Sequence, residues 1–414
     1  MSDFRPDQAG LEHAVRVLLE RMQHRGSPHV APDAADVSLP RQLPEIGIGG
    51  GAALDALAQI AFADVSRLDH PGFLAHMDPP TPWYTWAAAM WAAATNQNVL
   101  HPDTAPAARA LESHVVAWLA RVFGLSGGHM VPGSTVANLT ALWAARELTG
   151  ATRVVTSEAA HLSVVKSADI LGMECVQVPV DDKQQLRTEL LPPDLSDSVV
   201  VLTAGTVATG AVDDLHAGQG AAWRHVDAAW AGALRLSSHT RALDGIETAD
   251  SVGVSLHKWL YQPKGSALVL FADAERAHEA ISYGGGYLAV PNVGLLGSRG
   301  SSALPLAITL LAWGRQGIAE QIDAGMAMAD ELADLVTSDA ELELWHRPCT
   351  GVVNWRPVEC DPESVRERMT GAWVSTATID GDRWFRSVAA NPLADPRTVV
   401  SAVKETMNGS RREN

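Results

Sequence analysis

Apolar residues recur at helical spacing over residues 11–22, and the stretch that follows, to about residue 51, is rich in Pro, Gly and Asp. This pattern predicts a helix and then an extended arm. A second amphipathic helix is expected over 52–68. Residues 71–82 (PGFLAHMDPPTP) carry too many prolines for a helix and read as a loop, either a binding surface or a rigid connector. Between 105 and 271, helical stretches alternate with short runs rich in β-branched residues at 153–156, 175–178, 199–203, 225–226, 251–254 and 267–271. Such alternation predicts a mostly parallel sheet with helices on both faces, whose ligands sit at the carboxyl ends of the strands. Residues 305–337 read as a long helical region broken near Gly314 to Gly317. The remainder mixes strands at 351–355, 373–378 and 384–389 with a closing helix to about Met407, and the last residues, NGSRREN, are expected to fray. The expected organisation is a helical arm over 1–85, a large α/β domain over 86–304, and linking helices with a small α+β domain over 305–414.

Charge and composition narrow the function. In 414 residues, 31 basic side chains face 48 acidic ones, for a net charge of −17. That excess disfavours a nucleic-acid backbone or an anionic membrane as partner. Cys175, Cys349 and Cys360 are too few and too scattered for a disulfide framework or a four-ligand zinc site, so no metal is expected. They suit a reducing compartment. No stretch approaches the ~20 apolar residues of a membrane span, and the first residues lack the basic-then-apolar pattern of a secretory signal. A cytoplasmic protein acting on a small molecule is the expectation.

The candidate chemistry gathers behind the expected strands. Ser255-Leu256-His257-Lys258-Trp259-Leu260-Tyr261-Gln262-Pro263-Lys264-Gly265 follows the run at 251–254. A lysine at a strand end in a partly dry cleft has its ammonium destabilised, which makes the neutral, nucleophilic amine accessible. Lys258 is therefore a candidate for imine formation, although a lone loop lysine is more often a solvated charge. His225-Val226-Asp227-Ala228-Ala229-Trp230-Ala231-Gly232 ends another strand. Pyridoxal 5'-phosphate (PLP) is an electron sink only while its pyridine nitrogen stays protonated, which needs a fixed carboxylate beside it. Asp227 is placed for that role, and small Ala229 leaves room for the ring; a turn aspartate is the plainer alternative.

Three weaker signals complete the set. Gly133, Ser134 and Thr135 precede a helix expected over 137–148, where unpaired N–H groups, hydroxyls and the helix dipole suit a phosphate, or form an ordinary cap. His161, after the run at 153–156, is placed to stack on the ring face opposite Ala229 and to exchange a proton, or is a structural histidine. Thr206, in Thr203-Ala204-Gly205-Thr206, is a candidate for the cofactor's phenolic oxygen or the substrate carboxylate, or a plain turn residue.

These segments together resemble the group II PLP-dependent amino-acid decarboxylases, which act on aromatic amino acids, glutamate and 2,4-diaminobutyrate. The likeness runs from about residue 71 to 392, and its most specific pieces are HVDAAWAG, HKWLYQPKG, TAGTVATGAVD (203–213) and GSRGSSALPL (297–306). The resemblance implies the PLP-dependent transferase fold of type I, with a mostly parallel seven-stranded sheet. It also implies a homodimer with active sites at the subunit interface and an N-terminal arm that wraps the partner. Lys258 is then similar to the Schiff-base lysine, Asp227 to the pyridine partner, His161 to the stacking residue, and Ser255 and His257 to phosphate contacts. Tyr287, in Gly284-Gly285-Gly286-Tyr287-Leu288, looks like the mobile-loop tyrosine that delivers a proton to the quinonoid carbon, and Arg386 like a recurrent arginine near the C-terminal end. Two positions depart from the pattern: Val136 stands where a glutamate is common and Leu256 where a proline is. The expected reaction is decarboxylation of an L-amino acid to its amine. Decarboxylative aldehyde formation, β-elimination and a silent PLP-binding subunit are its rivals.

Overall fold

The computed structural model describes residues 4–23, 26–30, 39–63 and 65–413, with side chains to 409. Its strands, in chain order, are β1 (Phe73–Leu74), β2 (Gly127–Val131), β3 (Arg153–Ser157), β4 (Glu174–Val178), β5 (Ser198–Thr203), β6 (Trp223–Asp227), β7 (Ser251–Ser255), β8 (Ala267–Phe271), β9 (Ser282–Tyr283), β10 (Asn292–Val293), β11 (Leu342–Leu344), β12 (Val352–Pro357), β13 (Trp373–Ile379) and β14 (Asp382–Val388). The α-helices are α1 (Gln8–Gln23), α2 (Gly50–Ala63), α3 (Trp83–Thr95), α4 (Pro106–Val122), α5 (Ser134–Thr149), α6 (Leu162–Leu171), α7 (Ala274–Ala280), α8 (Ala303–Thr337), α9 (Pro362–Arg368) and α10 (Pro396–Glu413).

Seven strands form the large sheet in the order β2-β8-β7-β6-β5-β3-β4. The pairs from β7 through β4 are parallel, and β8 runs antiparallel to both its neighbours. β5 through β8 are buried at every position, which is why SVVVLT and ALVLF read as continuous apolar runs rather than alternating ones. This is the fold of type I expected from the resemblance. The six runs read as strands all lie in the sheet; the seventh, β2, was hidden in Gly127-Gly128-His129-Met130-Val131, whose paired glycines do not read as a strand. Gly128 is required there, because a Cβ would fall 2.0 Å from the Val269 carbonyl oxygen across the ladder. Helix α5 likewise begins at Ser134, three residues before the expected start at 137.

The small sheet has the order β1-β13-β14-β12-β11. β1 corrects the reading of 71–82 as loop throughout: Phe73 and Leu74 bury their side chains and pair in parallel with β13, so the proline-rich segment is stitched into the small domain. β11, also unforeseen, pairs with β12. Helix α10 runs through Glu413, past the expected end at Met407, so the tail is helical; Gly409 is tolerated at about 1 kcal/mol. Within the expected arm, 24–25 and 31–38 lie outside the described residues, and 26–30 and 39–49 form no helix or strand.

Helix α8 joins the two cores. It breaks at Gly314, whose φ of 61° lies in the left-handed region, as the sequence led one to expect. Before and just after the break it packs on the large core through Leu306, Ile318 and Ile322; its last turns pack on the small core through Ala329, Leu332 and Val336. Trp355, fully buried, centres the small core against Phe385. Trp355→Ala is expected to destabilise the protein by about 3–5 kcal/mol, read as a lowered denaturation midpoint in urea. Among the described residues, no helix is long and apolar enough to cross a membrane.

Candidate active site

The ends of β5, β6 and β7 place three groups side by side, since Thr203 pairs with Asp227 and Asp227 with Gly253 in register. Asp227 is 3% exposed. Its Oδ1 accepts the Ala229 backbone N–H (3.1 Å) and its Oδ2 the Asn138 side-chain amide (2.8 Å), so the carboxylate is held rigidly by two donors. Lys258 lies in the turn that follows β7, where Tyr261 N–H bonds the Lys258 carbonyl (2.9 Å). Burial pushes the Lys258 ammonium below its ordinary pKa; Asp227 opposes this and Arg386 reinforces it. The amine is thereby moved toward its nucleophilic form. Leu256, where the resemblance leads one to expect proline, donates its N–H to the Ser266 carbonyl (3.1 Å), a bond proline has no N–H to make.

His161 is the N-cap of α6, its Nδ1 accepting the Ser163 backbone N–H (3.1 Å) and facing the Ser163 hydroxyl (2.7 Å). Burial lowers its pKa, with Asp227 opposing and Lys258 adding to the effect, so the ring is neutral near pH 7 and the cluster is electrostatically continuous. At the start of α5, Gly133 occupies the N-cap with no side chain capping the helix. The Ser134 hydroxyl reaches that of Ser255 (3.1 Å), and His257 Nε2 lies 3.4 Å from the same oxygen. The His257 Nδ1–H donates to the Ser266 carbonyl (3.0 Å), and burial pulls its pKa down to about 4. Thr135 is exposed at the second position of the helix.

Two sequence candidates sit differently from the rest. The buried Thr206 hydroxyl meets Thr209 Oγ1 (2.9 Å) and accepts the Ala211 N–H (3.0 Å), which closes its own turn. Its neighbour Thr203, at the end of β5, has a buried hydroxyl with no partner. Tyr287 is 78% exposed on the loop between β9 and β10, with no hydrogen bond or ring contact to the Lys258 cluster among the described residues.

The structure adds two residues the sequence reading did not single out, Asn138 and Asp78, and shows the surroundings of Arg386. Asn138 is wholly buried in α5, and an asparagine inside a helix, where it is a poor former, was the available signal. Asp78 pairs with Lys264 and carries the opposing charge for Arg386. Arg386 reaches from β14 to the Val207 carbonyl (2.5 Å) and to Ser375 Oγ (3.2 Å); burial lowers its pKa to about 10. A largely apolar cavity of 710 Å³ runs from Pro80 and Trp83 past Trp313 to His257.

An uncapped helix terminus ringed by hydroxyls, a desolvated lysine, and a buried carboxylate beneath a small residue fit a phosphorylated aldehyde with a basic ring nitrogen. The fold and site thus define an α/β enzyme built around PLP. The chain belongs to the pyridoxal-dependent decarboxylase family: the model of that family's conserved domain matches residues 38–357. It is 30% identical to an L-2,4-diaminobutyrate decarboxylase of Rhizobium meliloti, covering 90% of this chain and 84% of that one. It is 24% identical to an aromatic-L-amino-acid decarboxylase of Bacillus atrophaeus, covering 83% and 80%. Its fold matches that of Oryza sativa TDC with PLP and tryptamine, with a TM-score of 0.88, 22% identity, and coverage of 97% and 98%. The protein is a PLP-dependent lyase that decarboxylates an amino acid.

Proposed function

We propose that Lys258 is the amine that carries the cofactor's aldehyde carbon and that Asp227 holds the proton on its ring nitrogen. The observation that carries this reading is the pairing of a desolvated lysine with a fixed carboxylate at adjacent strand ends. When bound, PLP accepts the electron pair left on Cα as CO2 departs. Gly133, Ser134, Ser255 and His257 would hold its phosphate, with Thr135 at the rim, and His161 and Ala229 would bracket its ring, His161 offering a proton at Nε2. Thr203, with its free hydroxyl, suits the phenolic oxygen better than Thr206, whose hydroxyl is spent on its turn. Arg386, whose charge is felt at Lys258 and whose Nη2 has no partner among the described residues, would receive the substrate carboxylate. The product is the amine. With a panel of amino acids, CO2 and amine are expected in equal amounts; ammonia and peroxide in place of amine would overturn simple decarboxylation.

The working form is a homodimer in a reducing cytoplasm, which its three free cysteines suit. Helices α1 and α2 contain no buried residue, and Leu11, Leu19, Leu54, Leu57, Trp83 and Trp91 lie exposed on α1 to α3. An apolar face of that extent, on a hairpin of helices that cannot bury it alone, calls for a second copy. Tyr287, remote from its own Lys258 cluster, would then serve the partner's site. Sedimentation is expected to give twice 43.9 kDa, and Leu54→Glu with Leu57→Glu to shift it toward monomer with a drop in activity.

A further inference from the structure

Around Asp227 the buried polar groups form a single chain with one permitted direction. The Trp223 indole N–H, which can only donate, bonds Ser251 Oγ (2.8 Å). Ser251 Oγ meets His225 Nδ1 (2.9 Å), and His225 Nε2 meets Asn138 Oδ1 (3.1 Å). The Asn138 amide nitrogen then spends one hydrogen on Asp227 Oδ2 (2.8 Å) and the other on Ser163 Oγ (2.9 Å). Ser163 Oγ, already accepting, turns its own proton to His161 Nδ1 (2.7 Å). The amide cannot be reversed, because its oxygen would then oppose the carboxylate of Asp227. With that orientation set, His225 must carry its proton on Nε2, and so must His161, whose Nδ1 also accepts a backbone N–H. All these groups are wholly or almost wholly buried except His161, so water does not rearrange the chain.

The neighbouring strand leaves room for this amide. Gly253 in β7 lacks a side chain where a Cβ would come within 3.0 Å of Asn138 Oδ1. Burial also pulls the His225 pKa down to about 4, against the attraction of Asp227, so His225 is a neutral relay at working pH.

The geometry points to Asn138 as a positioning residue for the decarboxylation: one amide orients the Asp227 carboxylate for the ring nitrogen and, through Ser163, directs the His161 proton to Nε2. The inference rests on the reading that Asp227 and His161 hold the cofactor. It assigns to Asn138 something that packing alone does not, the direction of the protons on both sides of the ring.

The test uses holoenzyme labelled with ¹⁵N-histidine, in which long-range ¹H–¹⁵N correlation distinguishes the two neutral tautomers and the imidazolium; His225→Gln and His161→Gln assign the signals. In the wild type, His225 and His161 are expected as neutral Nε2–H tautomers near pH 7. Asn138→Asp, which sets a carboxylate against His225 Nε2, is expected to turn His225 into imidazolium at that pH. Asn138→Ser is expected to weaken PLP binding by about tenfold, the worth of one hydrogen bond to a charged group, and to shift the pH profile of kcat/KM. An Nδ1–H tautomer at His225 in the wild type would overturn the proposal. So would an Asn138→Ser enzyme that melts as expected for a lost buried bond yet keeps its cofactor affinity and pH profile. Asp227→Asn separates the two levels: unchanged PLP affinity there would sink the cofactor reading itself, whatever Asn138 does.

Discussion

Lys258→Ala is expected to lower the rate of decarboxylation by roughly 10⁴-fold, the upper end of what one positioned proton-transferring side chain contributes. The size follows from two duties falling on one amine. On the proposed reading Lys258 would anchor the cofactor, and its neutral form would serve as a base once the substrate amine has taken its place. Burial makes that form accessible: desolvation depresses the pKa, Asp227 and Asp78 oppose it without cancelling it, and Arg386 and Lys264 add to the depression. The substitution removes no structural bond, since the turn is held by the Lys258 backbone carbonyl and not by its side chain. The melting temperature of the protein without cofactor should therefore stay near that of the wild type, and added small primary amines should restore a fraction of the activity. CO2 release measured beside the cofactor's absorbance checks both halves. Retention of activity within tenfold of wild type would remove Lys258 from the role.

The residues on which this rests were legible in the sequence because they lie where local rules converge. Asp227 ends an apolar, β-branched run and Lys258 and His161 follow theirs by a few residues, so a parallel sheet places them at one edge whatever the details of packing. What the sequence concealed depends on register or long-range contact. β2 hides behind two glycines, of which Gly128 admits the Val269 carbonyl, and β1 among prolines whose neighbours Phe73 and Leu74 bury on a sheet formed 300 residues later. Thr203 and Thr206 are equivalent as letters, and only the closed turn at Ala211 shows which hydroxyl is free. Asn138 stands within the helix expected over 137–148, yet its partners come from α6 and β6. Tyr287 lies exposed on the loop between β9 and β10, and its glycine-rich surroundings carry no signal of which site that loop serves.

Asp227→Asn tests the other half of the site, and its expected result is a loss of about 10²- to 10³-fold in kcat, comparable to removing one preorganised electrostatic contact. The carboxylate accepts a different N–H at each oxygen, from Ala229 and from Asn138. An amide has one acceptor, so in the variant either Ala229 N–H or the Asn138 amide is left facing another donor, at a cost of about 1–3 kcal/mol in folding stability. Against an unfolding free energy of about 5–15 kcal/mol that cost still leaves a folded majority, so the kinetic effect should stand apart from it. The activity falls because an uncharged neighbour no longer holds a proton on the ring nitrogen, and without that proton the ring is a weaker sink for the electrons CO2 leaves behind. Steady-state kinetics, cofactor affinity and urea denaturation on the same preparation separate the two effects. A drop in stability with kcat unchanged would show that Asp227 is only a turn residue.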